Sequence, residues 1–301
     1  MHGELLENIK ISVIMNCYNS DAFLEEAISS VINQTYKNFE LIFWDNQSTD
    51  ESAHILHSYQ DKRIRYFYAE KFTSLGEARN LAISKATGEW IAFLDADDIW
   101  DSKKLAEYIA ALKNHPKSDQ VTMIYSKTKM IDNHGTVIGE YAKHDSGSIH
   151  DTLLSKGNFI VQSSIMVRLS TFKNVGGINP LLKYCPDYDL SLKITKDNTT
   201  IGINDFSTFY RVHEGSITST KVYDNSIEEI DFLIDYLEKS DQKAIIKIAV
   251  KKNIVYKTTV LVLKLIFESD SRAFKIGKKY FFYLLFSPFV MPALFLKQLV
   301  K

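Results

Sequence analysis

Three short polar clusters each follow an apolar run in the N-terminal part of the chain: Asn16-Cys17-Tyr18-Asn19, Asp45-Asn46 and Asp95-Ala96-Asp97-Asp98. Asp95 and Asp97 are two apart with a small residue between, a spacing that lets two carboxylates reach around one hard cation. Oxygen ligands select Mg²⁺ or Mn²⁺ over a thiol-loving metal, and a phosphate-bearing substrate would complete the coordination. Carboxylates gathered in one place repel one another unless a cation or hydrogen-bond donors compensate.

These clusters need a scaffold that brings them together. Ile11–Met15, Glu40–Trp44, Ile64–Tyr68 and Trp90–Leu94 read as short buried strands. Between them, Leu24, Ala27, Ile28, Val31 and Ile32 trace one helical face. Ser48 with Glu51 and Ser74 with Glu77 have capping-box spacing; the first should open a helix running to Tyr59. Leu105, Tyr108, Ile109 and Leu112 mark a further helix. Such alternation predicts a mostly parallel α/β sheet flanked by helices, and ligands of open parallel sheets bind beyond the carboxyl ends of the strands. All three polar clusters fall at those ends. From Val121 the pattern changes to strands with turn signals: Asp132-Asn133-His134-Gly135 between two strands, a strand over Ile160–Val167, a short helix over Asp189–Thr195 and a strand over Ile201–Arg211. Beyond Tyr223 the chain reads as helical. The predicted division is a catalytic domain over 1–220, with halves at about 10–125 and 126–220, and an extension over 221–301.

Composition excludes several classes. The 301 residues are 45% hydrophobic and 24% charged, which rules out disordered and collagenous chains. Two cysteines, Cys17 and Cys185, make neither a disulfide scaffold nor a four-cysteine zinc site. His54 and His57 share a helix face but read as solvated, and Cys17 reads as a small buried residue. MHGELLENIK carries no apolar run, so a reducing, cytoplasmic compartment is expected. The net charge of −1 conceals an asymmetry: from Asp241 onward there are 12 Lys/Arg against 3 Asp/Glu, leaving 24 against 34 before it. The sixteen uncharged residues Phe281–Leu296 carry Pro288 and Pro292, whereas about twenty apolar residues are needed to cross a bilayer. The extension is expected either to lie on an anionic membrane surface or to cap the domain.

Several motifs, taken together, carry a family resemblance. Ser12–Asn19, Gln34-Thr35-Tyr36 with Phe39-Glu40-Leu41, and Asp45–Asp50 resemble, in order and spacing, the nucleotide half of family 2 glycosyltransferases. Gly76–Asn80, Ala86–Glu89 and Leu94–Asp98 continue that likeness. Val175–Ile178, Asp187–Leu190 and Tyr210–His213 resemble the family's acceptor-side motifs. The chain departs from the pattern where Asn46 replaces an aspartate, Gln47 a glycine and Pro186 a glutamate.

The resemblance implies a GT-A (Rossmann-like) fold with a C-terminal helical extension, and an inverting, metal-dependent transfer from a nucleotide-sugar, most plausibly a UDP-sugar. It implies that Asn16 and Tyr18 line the nucleoside pocket, that Asp45 accepts from the base and that Arg79 meets base or diphosphate. Asp95 would serve ribose and metal, Asp97 would be the direct ligand of Mn²⁺ or Mg²⁺, and His213 would be either a third ligand or a core histidine. Asp187 would be the general base, with Asp189 the alternative. The expected partners are a saccharide or lipid-linked saccharide acceptor and an anionic membrane, not nucleic acid. The expected setting is surface polysaccharide or glycolipid synthesis at the inner face of the cell membrane. A sugar nucleotidyltransferase and a catalytically silent nucleotide-binding partner are the alternatives; the first lacks a glycine-rich phosphate loop after the first strand, and the second is encouraged by Pro186.

Overall fold

The computed structural model describes residues 8–216, 220–239, 242–268 and 270–285. Its nine-stranded sheet has the order β3-β2-β1-β4-β8-β6-β9-β5, with β7 paired to β6. The first four strands are β1 (Ile11–Cys17), β2 (Phe39–Asp45), β3 (Ile64–Tyr68) and β4 (Trp90–Phe93). They are mutually parallel, and the register sets Cys17 beside Asp45 at the carboxyl ends of β1 and β2. Leu94 N–H continues the β1–β4 pairing to the Ile14 carbonyl at 3.1 Å, which delivers Asp95 to the same edge. The mixed half comprises β5 (Ile99–Trp100), β6 (Val121–Ile131), β7 (Val137–Tyr141), β8 (Met166–Arg168) and β9 (Thr199–Arg211). β8 runs antiparallel to both β4 and β6 and so joins the two halves.

The helices lie where apolar periodicity places them. α1 (Asp21–Ile32) buries Leu24, Ala27, Ile28 and Val31. α3 (Leu75–Ile83) begins at Ser74, whose side chain accepts from Glu77 N–H, as its spacing predicts. The Ser48–Glu51 box does not form: α2 spans only Ser52–His57. Ser48 is committed elsewhere, its N–H to the Asp45 carboxylate and its hydroxyl to Asn19 N–H, while Asp50 accepts from Ser52 N–H. α4 (Lys104–Asn114) buries the expected Leu105, Tyr108, Ile109 and Leu112. The Asp132–Gly135 turn joins β6 to β7 with Gly135 at φ 78°.

By internal packing the chain divides into Met1–His150 with Asn158–Ser216, and Asp151–Gly157 with Ile217–Lys301. The second unit takes most of α5 (His150–Lys156), a segment the sequence reading left with the catalytic part. α6 (Leu169–Asn174) and α7 (Pro186–Thr195) belong to the first unit. The second continues with α8 (Val222–Lys239), α9 (Ala244–Phe267), α10 (Arg272–Lys279) and α11 (Phe281–Leu284). Among the described residues no helix is long and apolar enough to cross a membrane. The apolar run beyond Leu285, with Pro288 and Pro292, lies outside the described residues.

Two of the motifs act at the opposite edge of the sheet. Glu40, near the start of β2, accepts from the hydroxyl of Ser12 at 2.6 Å, from Thr87 N–H and hydroxyl at 2.8 Å each, and from Arg65 at 2.8 Å. Gly88 must be glycine, because a Cβ there would lie 2.7 Å from the Lys10 carbonyl. Burial alone would raise the Glu40 carboxyl, but these donors outweigh it and hold it at about 2. Its folded value lies below its unfolded one, so its stabilisation is complete above the ordinary glutamate range and is lost as pH falls towards 2. Glu40→Gln is therefore expected to lower unfolding free energy at neutral pH by about 2 kcal/mol, read by urea denaturation, and to shrink the difference from wild type in acid.

Candidate active site

Asn16, the penultimate residue of β1, has both side-chain polar atoms enclosed and without a partner among the described residues. Next along the chain, Tyr18 is 50% exposed and its ring lies 4.7 Å from that of the exposed Phe72. Asp45 is fully enclosed: Ser48 N–H donates to Oδ1 at 2.7 Å and the Tyr66 hydroxyl to Oδ2 at 2.9 Å. Both oxygens thus already carry protein donors that close the 45–48 turn. Asn46 donates to the Thr73 carbonyl at 2.9 Å and accepts from the Thr73 hydroxyl at 3.2 Å. An aspartate could not make the first of these bonds. Gln47 takes a left-handed φ of 70°, a conformation costly for a residue with a Cβ, and its amide donates to Glu70 carbonyl at 3.1 Å.

α3 serves both halves of the site. Arg79 is buried and ion-paired with the Asp95 carboxylate. One turn earlier, Gly76 packs so closely on residues 178–180 that a Cβ would meet Pro180 Cα at 3.1 Å. One residue after Arg79, Asn80 donates to the Ile178 carbonyl at 2.8 Å and accepts from its N–H at 3.0 Å. The Gly76–Asn80 motif therefore carries the turn at 176–180.

The Asp95–Asp98 loop is held from behind by residues to which the sequence assigns no such holding role, Arg211 of the Tyr210–His213 motif among them. Ser163 accepts from Asp95 N–H at 3.1 Å and donates to the buried Asp98 carboxylate at 2.5 Å. The predicted strand over Ile160–Val167 gives way to a 3₁₀ turn at Gln162–Ser164 and only three strand residues, because the serines are used this way. Trp100 donates to the Ser163 carbonyl at 2.7 Å and Tyr108 to that of Ser164 at 2.6 Å. Tyr108 is in turn held by the buried Lys104, whose ammonium burial pushes well below the usual lysine range. Arg211, 1% exposed, donates from its backbone to Asp98 Oδ1 at 2.8 Å and from Nε to the Asp97 carbonyl at 3.0 Å. It also reaches the Asp132 carbonyl at 3.2 Å and stands 4.4 Å over the Phe23 ring. One signal in the sequence pointed here: a third acid, Asp98, directly after Asp95 and Asp97.

Asp97 Oδ2 and His213 Nε2 are 3.0 Å apart. Burial first, then the charge of Asp95, raises the Asp97 carboxyl, and His213 opposes this. Asp98 is driven further up by burial and both neighbouring charges. A carboxylate oxygen facing an imidazole nitrogen is a donor set that fits Mn²⁺ or Mg²⁺, with Asp95 two residues away; no cluster of three such ligands has formed among the described residues. The His54–His57 pair also forms no such cluster, and His57 packs on Tyr66 at 4.8 Å.

α7 starts three residues earlier than its periodicity indicates. Pro186 occupies its first turn, where a missing N–H costs nothing, so the departure from the family pattern is structurally benign. Asp187 follows; Asn158 donates to its Oδ2 at 3.0 Å, and burial pushes its carboxyl up to about 6, with the charge of Arg79 opposing the shift. Asp189 is engaged instead with Lys193 at 2.6 Å. Cys17 is buried, its thiol raised by burial and 3.8 Å from the Ser48 hydroxyl.

Comparison with known proteins bears on this arrangement directly. The sequence profile described as "Glycosyl transferase family 2" matches residues 12–176, more than half of the chain. The Escherichia coli UDP-Glc:alpha-D-GlcNAc-diphosphoundecaprenol beta-1,3-glucosyltransferase WfgD is 31% identical over 236 residues, covering 77% of this chain and 88% of its own. Among solved structures, S. aureus TarS 1-349 in complex with UDP-GlcNAc superposes with a TM-score of 0.64 at 20% identity, covering 88% of this chain and 74% of that one. The mannosyltransferase PcManGT from Pyrobaculum calidifontis, in complex with GDP-Man and Mn²⁺, gives 0.60 at 17% identity over 93% and 82%. Both share the GT-A fold seen here. With the sheet order, the site at its carboxyl edge and these matches in agreement, the chain is a glycosyltransferase and a member of glycosyl transferase family 2.

Proposed function

We propose that the chain is an inverting, metal-dependent glycosyltransferase. It moves a hexosyl or N-acetylhexosaminyl group from a UDP-sugar to a hydroxyl of a lipid-linked saccharide. This serves cell-surface polysaccharide or glycolipid synthesis at the inner face of the cell membrane, where the basic extension meets anionic lipid. Donor and acceptor classes are carried over from WfgD, named for a UDP-Glc donor and a diphosphoundecaprenol-linked acceptor.

The observation that carries the reading is Asp187. It is the acid beside Arg79 and Asp95 whose own hydrogen-bond partner is a neutral amide, and its carboxyl lies near 6. A base so tuned is ionised at neutral pH yet still takes a proton. The acceptor O–H proton passes to the Asp187 carboxylate as the oxygen attacks the anomeric carbon. The bond to the diphosphate breaks, and its electron pair leaves with the nucleotide, giving inversion. Asn16 and Tyr18 bind the nucleoside and Arg79 the diphosphate, while Asp45 shapes the nucleoside edge through its turn. Asp97, Asp95 and His213 would hold the divalent cation, which when bound supplies counter-charge to the leaving diphosphate. Because the base acts deprotonated, kcat/KM should rise from about pH 5 and level off above about pH 7. UDP release followed with and without acceptor tests this. Acceptor-independent release, or a flat profile in that range, would overturn the assignment.

A further inference from the structure

The second unit exposes an apolar stripe that folding has left without a partner among the described residues. On α9, Ile245, Ile248, Lys252, Tyr256, Val260 and Phe267 fall within about a third of the helix circumference. Ile245 is 72% exposed, Tyr256 69% and Phe267 82%. The opposite side of the same helix buries Val250, Ile254, Leu261 and Leu265, so the helix is apolar on two faces, only one of them covered. At 1.5 Å per residue the stripe is roughly 33 Å long, far beyond the scattered exposed apolar residues normal for a surface.

Its charge is of one sign. α9 carries five lysines and no acidic residue. Lys257 is tied to Glu229 at 2.9 Å, but Lys252 within the stripe and Lys251 beside it are exposed with no ion pair among the described residues. α10 repeats the pattern: it buries Ala273 and Ile276 and exposes Phe274, Lys275 and Lys278. A second copy of the chain meeting this face across a two-fold axis would set lysine against lysine, whereas an anionic bilayer offers acyl chains to the apolar residues and phosphates to the lysines.

We infer that the stripe Ile245–Phe267, with Lys252 within it and Lys251 at its edge, is the surface by which this protein lies on an anionic phospholipid membrane. The choice of partner rests on the membrane reading above; the location rests on the stripe. The test is co-sedimentation of the full chain with phosphatidylethanolamine vesicles containing about one-third phosphatidylglycerol, and with phosphatidylcholine vesicles. Wild type should bind the anionic vesicles at least about tenfold more tightly than the neutral ones. Tyr256→Ser/Phe267→Ser and Lys251→Glu/Lys252→Glu should each weaken that binding by about tenfold or more, with melting temperature and UDP binding unchanged. Equal binding by wild type and both variants, no binding by wild type, or loss of self-association in the variants with vesicle binding retained would each overturn the inference. UDP binding in the same samples separates the two readings: vesicle binding without nucleotide binding would sink the enzymatic proposal and leave this one standing.

Discussion

Asp187→Asn should lower kcat for sugar transfer by about 10²–10⁴-fold, the usual contribution of a positioned general base. Asparagine keeps the shape of the side chain and can still accept from Asn158, which now donates to Asp187 Oδ2 at 3.0 Å. What it loses is the capacity to take a proton. KM for the donor should therefore change little, and the rise in rate through about pH 6 should vanish with the activity. Asp189→Asn provides the contrast. It alters a pair with Lys193 one turn along the same helix, and asparagine there can still accept from the Lys193 ammonium. Its activity should stay within a few-fold of wild type. An active Asp187→Asn beside an inactive Asp189→Asn would reverse the assignment.

The second large effect is expected at Arg211, which holds the Asp97–Asp98 backbone and side chain from behind. Its side chain is 1% exposed and binds the carbonyls of Asp97 and Asp132 as well as Glu26. The Glu26 side chain is 56% exposed, so that ion pair contributes little; the buried carbonyl bonds and the stacking on Phe23 dominate. Arg211→Met takes its side-chain donor from the Asp97 carbonyl, while the Asp132 carbonyl keeps Gly135 N–H at 3.1 Å, and it releases the loop that aims Asp97. We expect about 3–5 kcal/mol of lost stability in urea denaturation, and weaker binding of nucleotide with Mn²⁺ at temperatures where the variant is still folded. Arg211→Lys should not rescue it, because one ammonium cannot reproduce the planar fork that reaches several carbonyls. A lysine variant as stable and as tight-binding as wild type would contradict this role.

Much of this arrangement was legible in the chain because it depends on local pattern. Four apolar runs separated by helical stripes give β1 to β4 and their helices, and the carboxyl-edge rule brings Asn16, Asp45 and Asp95 together. What pattern could not separate was motif residues that face the site from those that hold the frame. Glu40, Gln34 and Asn80 belong to the recognised motifs, yet they bind partners far along the chain, at Thr87, Leu105 and Ile178. Ser163 was illegible for the same reason: its partners, Asp95 and Asp98, are more than sixty residues away. The Ser48–Glu51 spacing misled because Asp45 and Asn19 compete for Ser48. Pro186 departs from the family pattern, but it takes the first helical position of α7, where proline fits.

The measurement that bears most directly on the central claim is calorimetric titration of the full chain with UDP, dTDP, GDP and CMP, each with Mn²⁺ and with chelator. The account predicts tight binding of one nucleotide, UDP foremost, that depends on the metal. The same titration on Asp97→Asn should show affinity reduced by about tenfold or more, with the fold intact by circular dichroism. Binding of no nucleotide, or equal metal-dependent binding by wild type and Asp97→Asn, would contradict the claim that the carboxyl edge of this sheet is a nucleotide-sugar site built around Asp97.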